Sequence, residues 1–281
     1  MKNAYTMGTT LNNGVHLPWL GLGVYKMPKA EAAKAVRTAL QNGYRAIDTA
    51  SFYGNEEGVG EGIQSSGIPR DEIVLTTKIW NTDQGYDQTL HAFDESRKRL
   101  GLQYIDLYLV HWPIKATFRE TWRALVHLYR LGFVRAIGVS NFQIEDLEAV
   151  IQDTGVVPVI NQVEHHPLLN NQALHFYANV HNIRIVAWSP LLRGQYTGLP
   201  TLYKLAQKYQ RTVPQIILRW DLQNGVVVIP KTTHKERMIE NAQIFDFTLE
   251  PKDMQVIDNL NQDRHFGSVL DSDGRTLVRI P

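Results

Sequence analysis

Three strand-like runs in this chain finish on ionisable side chains. The run from Tyr44 to Ile47 leads to Asp48, the run from Ile73 to Thr77 to Lys78, and the run from Ile105 to Val110 to His111; Tyr53 follows on the loop beyond the first. Buried parallel strands need only short apolar runs, so a carboxylate, an ammonium, an imidazole and a phenol at their mouths are dispensable for folding. Together they suit proton delivery. A free tyrosine, with a pKa near ~10, is a poor acid at neutral pH, but an adjacent ammonium favours phenolate and a carboxylate can hold that ammonium in place. Such a device donates a proton to an oxygen that is gaining negative charge, and His111 is suited to orient that oxygen. Carbonyl reduction needs such a device. Taken singly, each residue also has an ordinary reading: an ion pair for Asp48 and Lys78, packing beside Trp112 and Pro113 for His111, a loop tyrosine for Tyr53.

The remaining strand ends supply Ser140 and Asn141, Gln162, Trp188 and Ser189, and Lys231. These look like ligand groups, although Ser140 and Asn141 can equally cap the next helix and Gln162 can be a buried amide satisfied by backbone. Trp188 offers a flat face for stacking a ring, or simple packing. From Lys231 to Arg237 the chain gathers cations, hydroxyls and the amides of a helix N-terminus, where barrels often bind phosphate; a solvated basic turn is the alternative. Tyr25, Trp80 and Trp112 follow three strands and are expected to wall the mouth. Adjacent His165 and His166 diverge on a strand, and no His-Glu-x-x-His helix or acidic cluster occurs, so no metal is expected. Ser140 and Ser189 lack a Gly-x-Ser-x-Gly elbow.

The elements that position these residues alternate strand with helix. Eight strand-helix units follow one another, beginning with Leu20 to Val24 and Lys29 to Asn42 and ending with Val226 to Ile229, Lys235 to Gln243 and a capping helix near Pro251 to Leu260, with no Gly/Pro/Ser linker between them. Eight right-handed units favour closure into a (β/α)8 barrel, and 281 residues suit a single domain spanning 1–281. Asn12, Asn13 and Gly14 between short strand-like runs predict a hairpin, expected to plug one barrel end. An open dinucleotide-binding sheet is disfavoured, because Gly21 and Gly23, and Gly58 to Gly62, lack its glycine spacing. Net charge of +1 offers no broad field for nucleic acid or an anionic membrane, and the absence of cysteine excludes disulfides and thiolate chemistry. No apolar run is long enough to span a bilayer, and Met1 to Gly14 lacks an apolar leader core. The expectation is a cytoplasmic monomer acting on a small carbonyl compound.

With these residues in view, the chain resembles the aldo-keto reductase family over nearly its whole length. The resemblance rests on Gly43 to Ala50 with Tyr53, Asp106 to Pro113 around His111, and Ile229 to Asn241 around Lys231. It implies a catalytic set of Asp48, Tyr53, Lys78 and His111 in a barrel that binds NADPH extended, without a Rossmann motif. It further implies that Ser140, Asn141 and Gln162 hold the carboxamide, that Trp188 stacks on nicotinamide, and that Ser189, Leu191 and Arg193 lie along the pyrophosphate. Lys231, Thr232 and Arg237 would receive the 2′-phosphate, with Glu240 and Asn241 near adenine, and Tyr25, Trp80, His111 and Trp112 would meet substrate. Departures from better-known members are Trp188 for tyrosine, Leu192 for glycine and Thr232 for serine. The short tail after Leu260 is more similar to small prokaryotic members, such as the diketogluconate and glyoxal reductases, than to steroid reductases. Some relatives are NADPH-binding regulatory subunits with slow turnover, the alternative function; an isomerase or aldolase using Lys78 as a Schiff base is a third.

Overall fold

The computed structural model describes residues 4–267, 269, 270, 273, 274 and 276–278. Strands β1 (Gly8–Thr10) and β2 (His16–Pro18) form an antiparallel hairpin around the Asn-Gly turn. Eight parallel strands follow in sequence order: β3 (Leu22–Gly23), β4 (Ala46–Asp48), β5 (Val74–Ile79), β6 (Ile105–Val110), β7 (Val134–Ser140), β8 (Ile160–Glu164), β9 (Arg184–Trp188) and β10 (Val227–Val228). Single parallel bridges from Leu20 to Val228 and from Gly23 to Lys231 join the first and last strands, so the sheet closes on itself. A Cβ at Gly23 would lie 2.8 Å from the backbone oxygen of Ile229, so a side chain there would force the seam apart. The early glycines thus serve barrel closure.

Helices α1 (Lys29–Gln41), α2 (Glu56–Gln64), α3 (Tyr86–Leu100), α4 (Phe118–Arg130), α5 (Ile144–Thr154) and α6 (Gln172–Val180) return the chain between strands. Helices α7 (Pro200–Tyr209) and α8 (Val213–Gln223) precede β10; α9 (Lys235–Ala242) and α10 (Pro251–Asp258) follow it. In α3 the buried residues are Thr89, Phe93, Ser96 and Leu100, one stripe of helical period. The helix stops at Gly101, whose φ of 66° is the left-handed cap that glycine adopts without strain.

Inside the barrel, Leu107, Leu109, Ala136, Ile160, Val186 and Val227 pack against Leu11 and Leu17 of the hairpin region. That apolar plug closes the N-terminal end, which leaves the C-terminal strand ends as the place where polar side chains emerge.

The strand expected from Tyr44 begins only at Ala46. The Tyr44 amide bonds back to Ala39 O at the end of α1, and its hydroxyl donates to Met238 O at 2.9 Å, so Tyr44 belongs to the turn. Ahead of the hairpin, Tyr5 sits in a 3-10 turn (Ala4–Thr6) with its ring 5.4 Å from that of Tyr44. The tail, Asn261 to Pro281, was expected to be short and polar through Asp271 to Arg275. Its described residues form a small antiparallel pair, β11 (Val269–Leu270) with β12 (Thr276–Val278). A Cβ at Gly274 would lie 2.8 Å from Ile114 Cδ1, so the tail reaches the loop after β6 at the open end of the barrel. Asp271, Ser272 and Arg275 of the polar stretch lie outside the described residues. No helix among the described residues is long and apolar enough to cross a membrane.

Candidate active site

Asp48 is the last residue of β4, and Lys78 points the same way from the neighbouring β5, since Thr76 pairs with Asp48 in register and side chains two apart share a face. Lys78 is fully buried, and its ammonium donates to Asp48 Oδ1 at 2.7 Å and to the backbone oxygen of Thr49 at 2.8 Å. A third, longer contact of 3.4 Å reaches the hydroxyl of Tyr53. Asp48 is oriented from its other side, where Gln162 Nε2 donates to Oδ2 at 2.7 Å. With its N–H groups committed in this way, Lys78 has no free amine to offer a carbonyl carbon, which counts against a Schiff-base role.

His111 caps β6 beside this cluster. Its ring lies 5.9 Å from that of Tyr53 and 5.0 Å from that of Trp80, both edge-on. Burial, with the Lys78 charge adding to it, pushes the imidazole pKa well below its ordinary value, so the ring is neutral at physiological pH. Its Nδ1 is buried without a partner. The other nitrogen, Nε2, is the one left to meet a ligand oxygen.

The balance around Tyr53 differs from the sequence expectation of a phenolate favoured by Lys78. Burial first, then the charge of Asp48, pushes the Tyr53 phenol well above its ordinary value. Burial also lowers the Lys78 pKa, against the pull of Asp48. Desolvation outweighs the nearby cation because moving a phenolate out of water costs more than one partly compensated ammonium returns. The resting group is therefore a neutral, proton-bearing phenol.

Aromatic rings surround the opening. Tyr25 packs on Tyr53 at 4.8 Å, and Phe52 stacks on Trp80 at 3.8 Å with an interplanar angle of 18°. Phe52 was not singled out in the sequence, yet it is 49% exposed and faces the same mouth; its position one residue before Tyr53 on a strand-end turn was the available signal. Trp112, by contrast, is half-buried and enters none of these ring pairs.

Ser140 and Asn141 do not cap α5, whose N-cap is Gln143. Ser140 Oγ donates to Gln162 O at 2.8 Å, Asn141 Nδ2 to His111 O at 3.0 Å, and Trp188 Nε1 to Asn141 Oδ1 at 2.9 Å. This chain of bonds links the ends of β6, β7, β8 and β9. Asn141, Ser189, Leu192 and Arg193 all have φ between 50° and 63°, a strained setting for residues with side chains, of the kind that clusters at ligand clamps. Leu192 stands where glycine would carry no such cost, and its complete burial in the cluster with Leu202 and Trp220 offsets the strain. At the end of β10, Lys231 and Arg237 are exposed and form no ion pair among the described residues, while Thr232 Oγ1 accepts from the His234 amide at 3.2 Å. Glu240 is occupied by Thr212 Oγ1 at 2.7 Å, and Asn241 is buried on α9. Two unpaired cations beside the N-terminus of α9, with a half-buried tryptophan across the mouth, fit an extended ligand that carries phosphate at one end and a flat ring at the other.

The model of the Aldo/keto reductase family matches residues 14–262. The chain belongs to the aldo/keto reductase family. Among its relatives, glyoxal reductase of Bacillus subtilis is 52% identical over 258 residues, covering 92% of this chain and 94% of that protein. Methylglyoxal reductase DkgA of Salmonella typhimurium is 42% identical over 268 residues, covering 94% and 97%. The aldo/keto reductase fold is shared with the Bombyx mori enzyme solved in complex with NADP, at 36% identity and a TM-score of 0.87, over 92% of this chain and 94% of that one.

One further feature of this end of the barrel was missed in the sequence. Glu164, two residues beyond Gln162 and on the same face of β8, is buried and clamps the tail. Its Oε1 accepts from the amides of Phe266 and Gly267 at 2.8 and 2.9 Å, and its Oε2 from His265 Nδ1 at 2.9 Å. A Cβ at Gly267 would collide with the Trp188 ring, so the clamp holds the tail backbone directly against that indole. Burial raises the Glu164 pKa, but the bonds from His166, His265 and Phe266 outweigh it and bring the carboxyl down to about 2. A carboxyl depressed in the folded state stabilises above its unfolded pKa and loses that contribution as pH falls towards the folded value. The difference from an ordinary carboxyl corresponds to about 3 kcal/mol, lost between about pH 4 and pH 2. Glu164→Gln should therefore melt below wild type at neutral pH, with the gap closing as the pH falls through that window. A gap independent of pH would show that the ionised clamp contributes nothing.

Proposed function

We propose that this protein, acting as one NADP-dependent barrel domain over 1–281, reduces small aldehydes and α-dicarbonyls to alcohols with NADPH. The observation that carries the reading is the Tyr53 hydroxyl within reach of a buried Lys78–Asp48 pair at the open barrel end. The chemistry NADPH would supply when bound here is a hydride for the carbonyl carbon. Tyr53 gives its proton to the carbonyl oxygen as negative charge builds there, so the products are an alcohol and NADP⁺. Lys78 stabilises the phenolate that Tyr53 becomes, and Asp48, itself held by Gln162, fixes the ammonium. Neutral His111 donates from Nε2 and orients the oxygen.

Trp188, Asn141, Ser140 and Gln162 line the nicotinamide end in this reading. Ser189, Leu191 and Arg193 follow the pyrophosphate, and Lys231, Thr232 and Arg237 receive the 2′-phosphate, with Glu240 and Asn241 towards adenine. Support comes from the unpaired cations, from the strained backbone at Asn141, Ser189 and Arg193, and from the NADP held by the Bombyx mori relative.

Small substrates are supported by the glyoxal and methylglyoxal reductase relatives and by the mouth itself. The rings of Tyr25, Phe52 and Trp80 gather at the mouth and the tail reaches Ile114 beside it, a setting that favours flat or compact carbonyls in this reading. A large apolar ligand would be left partly in water, and each ~60 Å² of apolar surface so exposed costs about 1.5 kcal/mol, roughly tenfold in kcat/KM. Under saturating NADPH, methylglyoxal and a nitrobenzaldehyde should exceed a steroid ketone by at least about tenfold. A steroid turned over as well as methylglyoxal would refute the substrate class, and no NADPH oxidation with any of the three would refute the activity.

A further inference from the structure

Asn55 stands immediately before α2, where an asparagine side chain ordinarily caps the helix by accepting from its first amides. Here it makes no such cap. Its carboxamide turns inward and is 1% exposed. Nδ2 donates to Val24 O at 2.9 Å and to Met27 O at 3.0 Å, while Oδ1 accepts from Thr49 Oγ1 at 2.8 Å. One side chain thus ties three segments to one another: the loop after β3 that carries Tyr25, the residue after β4 whose backbone oxygen holds Lys78, and the turn that carries Tyr53, which unlike the first two is not bonded into the sheet through its backbone.

That turn (Ser51–Tyr53) is packed through the rings of Phe52 on Trp80 and Tyr53 on Tyr25, but few hydrogen bonds tie it to other segments. Ser51 Oγ donates to Lys78 O at 3.0 Å on its entry side, and Gly54 with a φ of 64° reverses the chain on its exit side, directly into Asn55. The Tyr53 contact with Lys78 is already long, at 3.4 Å, and hydrogen bonds weaken steeply beyond that range. An outward drift of the turn by a fraction of an ångström would break it, and would also separate Tyr53 from Tyr25.

We propose that Asn55, through Thr49, is the positioning residue that sets the Tyr53 hydroxyl against Lys78 and against the Tyr25 ring. The helix loses its side-chain cap, and the reacting phenol gains a fixed place. This rests on Tyr53 being the proton donor. Displacing a reacting group by about 1 Å costs about 10²-fold in rate, so kcat should fall on that scale while cofactor affinity, set elsewhere in the barrel, stays.

The test compares Asn55→Ala, Thr49→Val and Thr49→Ser with Tyr53→Phe, each read for kcat, KM, NADPH dissociation constant and melting temperature. Thr49→Val keeps the shape but loses the donor to Asn55; Thr49→Ser keeps the donor. The expected pattern is a kcat lowered about 10²-fold in Asn55→Ala and about tenfold in Thr49→Val, with NADPH binding within about twofold of wild type and Thr49→Ser close to wild type. Should Asn55→Ala fail to fold, the valine and serine pair decides alone. If Thr49→Val folds and matches Thr49→Ser in kcat, the positioning role is overturned and Asn55 is a purely structural tie. Full activity in Tyr53→Phe would instead remove the proton-donor reading itself, whereas an inactive Tyr53→Phe beside fully active Asn55 and Thr49 variants would overturn the positioning role alone.

Discussion

Tyr53→Phe should bind NADPH as the wild type does and lose carbonyl reduction by about 10²- to 10⁴-fold. The ring remains, so its packing on Tyr25 at 4.8 Å is kept, and only the long hydrogen bond from Lys78 is removed. Stability should therefore change little. What disappears is the transferable proton, and without it the oxygen that receives hydride must carry its charge unaided in a partly dry site. The pH dependence sharpens the expectation. Burial holds the phenol above its ordinary value, so Tyr53 stays protonated across the neutral range and the acid step should not weaken until strongly alkaline pH. His111, pushed low by burial, is neutral over the same range. Reduction measured at saturating substrate should then be flat in pH between about 7 and 9, given the ordinary tyrosine and histidine values near ~10 and ~6.5. Near-normal turnover by folded Tyr53→Phe would take the acid role away from Tyr53, whereas a steep alkaline fall within that interval in the wild type would report loss of the proton on Lys78, whose pKa burial lowers.

How much of this was legible in the sequence depends on the range of each interaction. Helix α3 reads directly, because a stripe at helical spacing and a terminal glycine are local signals. The strands that deliver Asp48, Lys78 and His111 read for the same reason, and the eightfold alternation fixes where their ends converge. Tyr44 was assigned to a strand because its apolar neighbours look extended; its hydroxyl bond to Met238, far along the chain, was invisible. Gln162 was left open between a ligand group and a backbone-satisfied amide, and its donation to Asp48 spans 114 residues. An asparagine just before a helix signals a cap, so the inward bonds of the Asn55 carboxamide to Val24, Met27 and Thr49 follow no local pattern. Glu164 had a signal that went unused, since it shares the Gln162 face by the two-residue period of a strand, but its partners on the tail follow no local pattern. Local chemistry and periodicity thus locate the site, and tertiary closure decides which side chains orient the ones that act.

Lys78→Met separates those two levels most sharply. Methionine fills much the same volume, so the slot stays packed, but Asp48 is then a buried carboxylate whose remaining side-chain partner is Gln162. Removing one partner of a buried pair leaves an uncompensated charge and typically costs about 3 to 5 kcal/mol, whereas removing both charges is often nearly neutral. The single variant should accordingly melt well below wild type, and Asp48→Asn combined with Lys78→Met should recover most of that loss because the second change removes the stranded charge. Activity should not follow. Without the ammonium the phenolate left after proton transfer has no counter-charge, so both variants should be slower by at least about 10²-fold, the scale of lost acid or electrostatic assistance. Stability restored without activity would mean that Lys78 serves the chemistry while the ion pair as such is replaceable in the fold. A double variant no more stable than Lys78→Met would show that the buried pair is held by something other than its opposite charges, and recovery of turnover in the double variant would show that Lys78 is not what makes Tyr53 a competent acid.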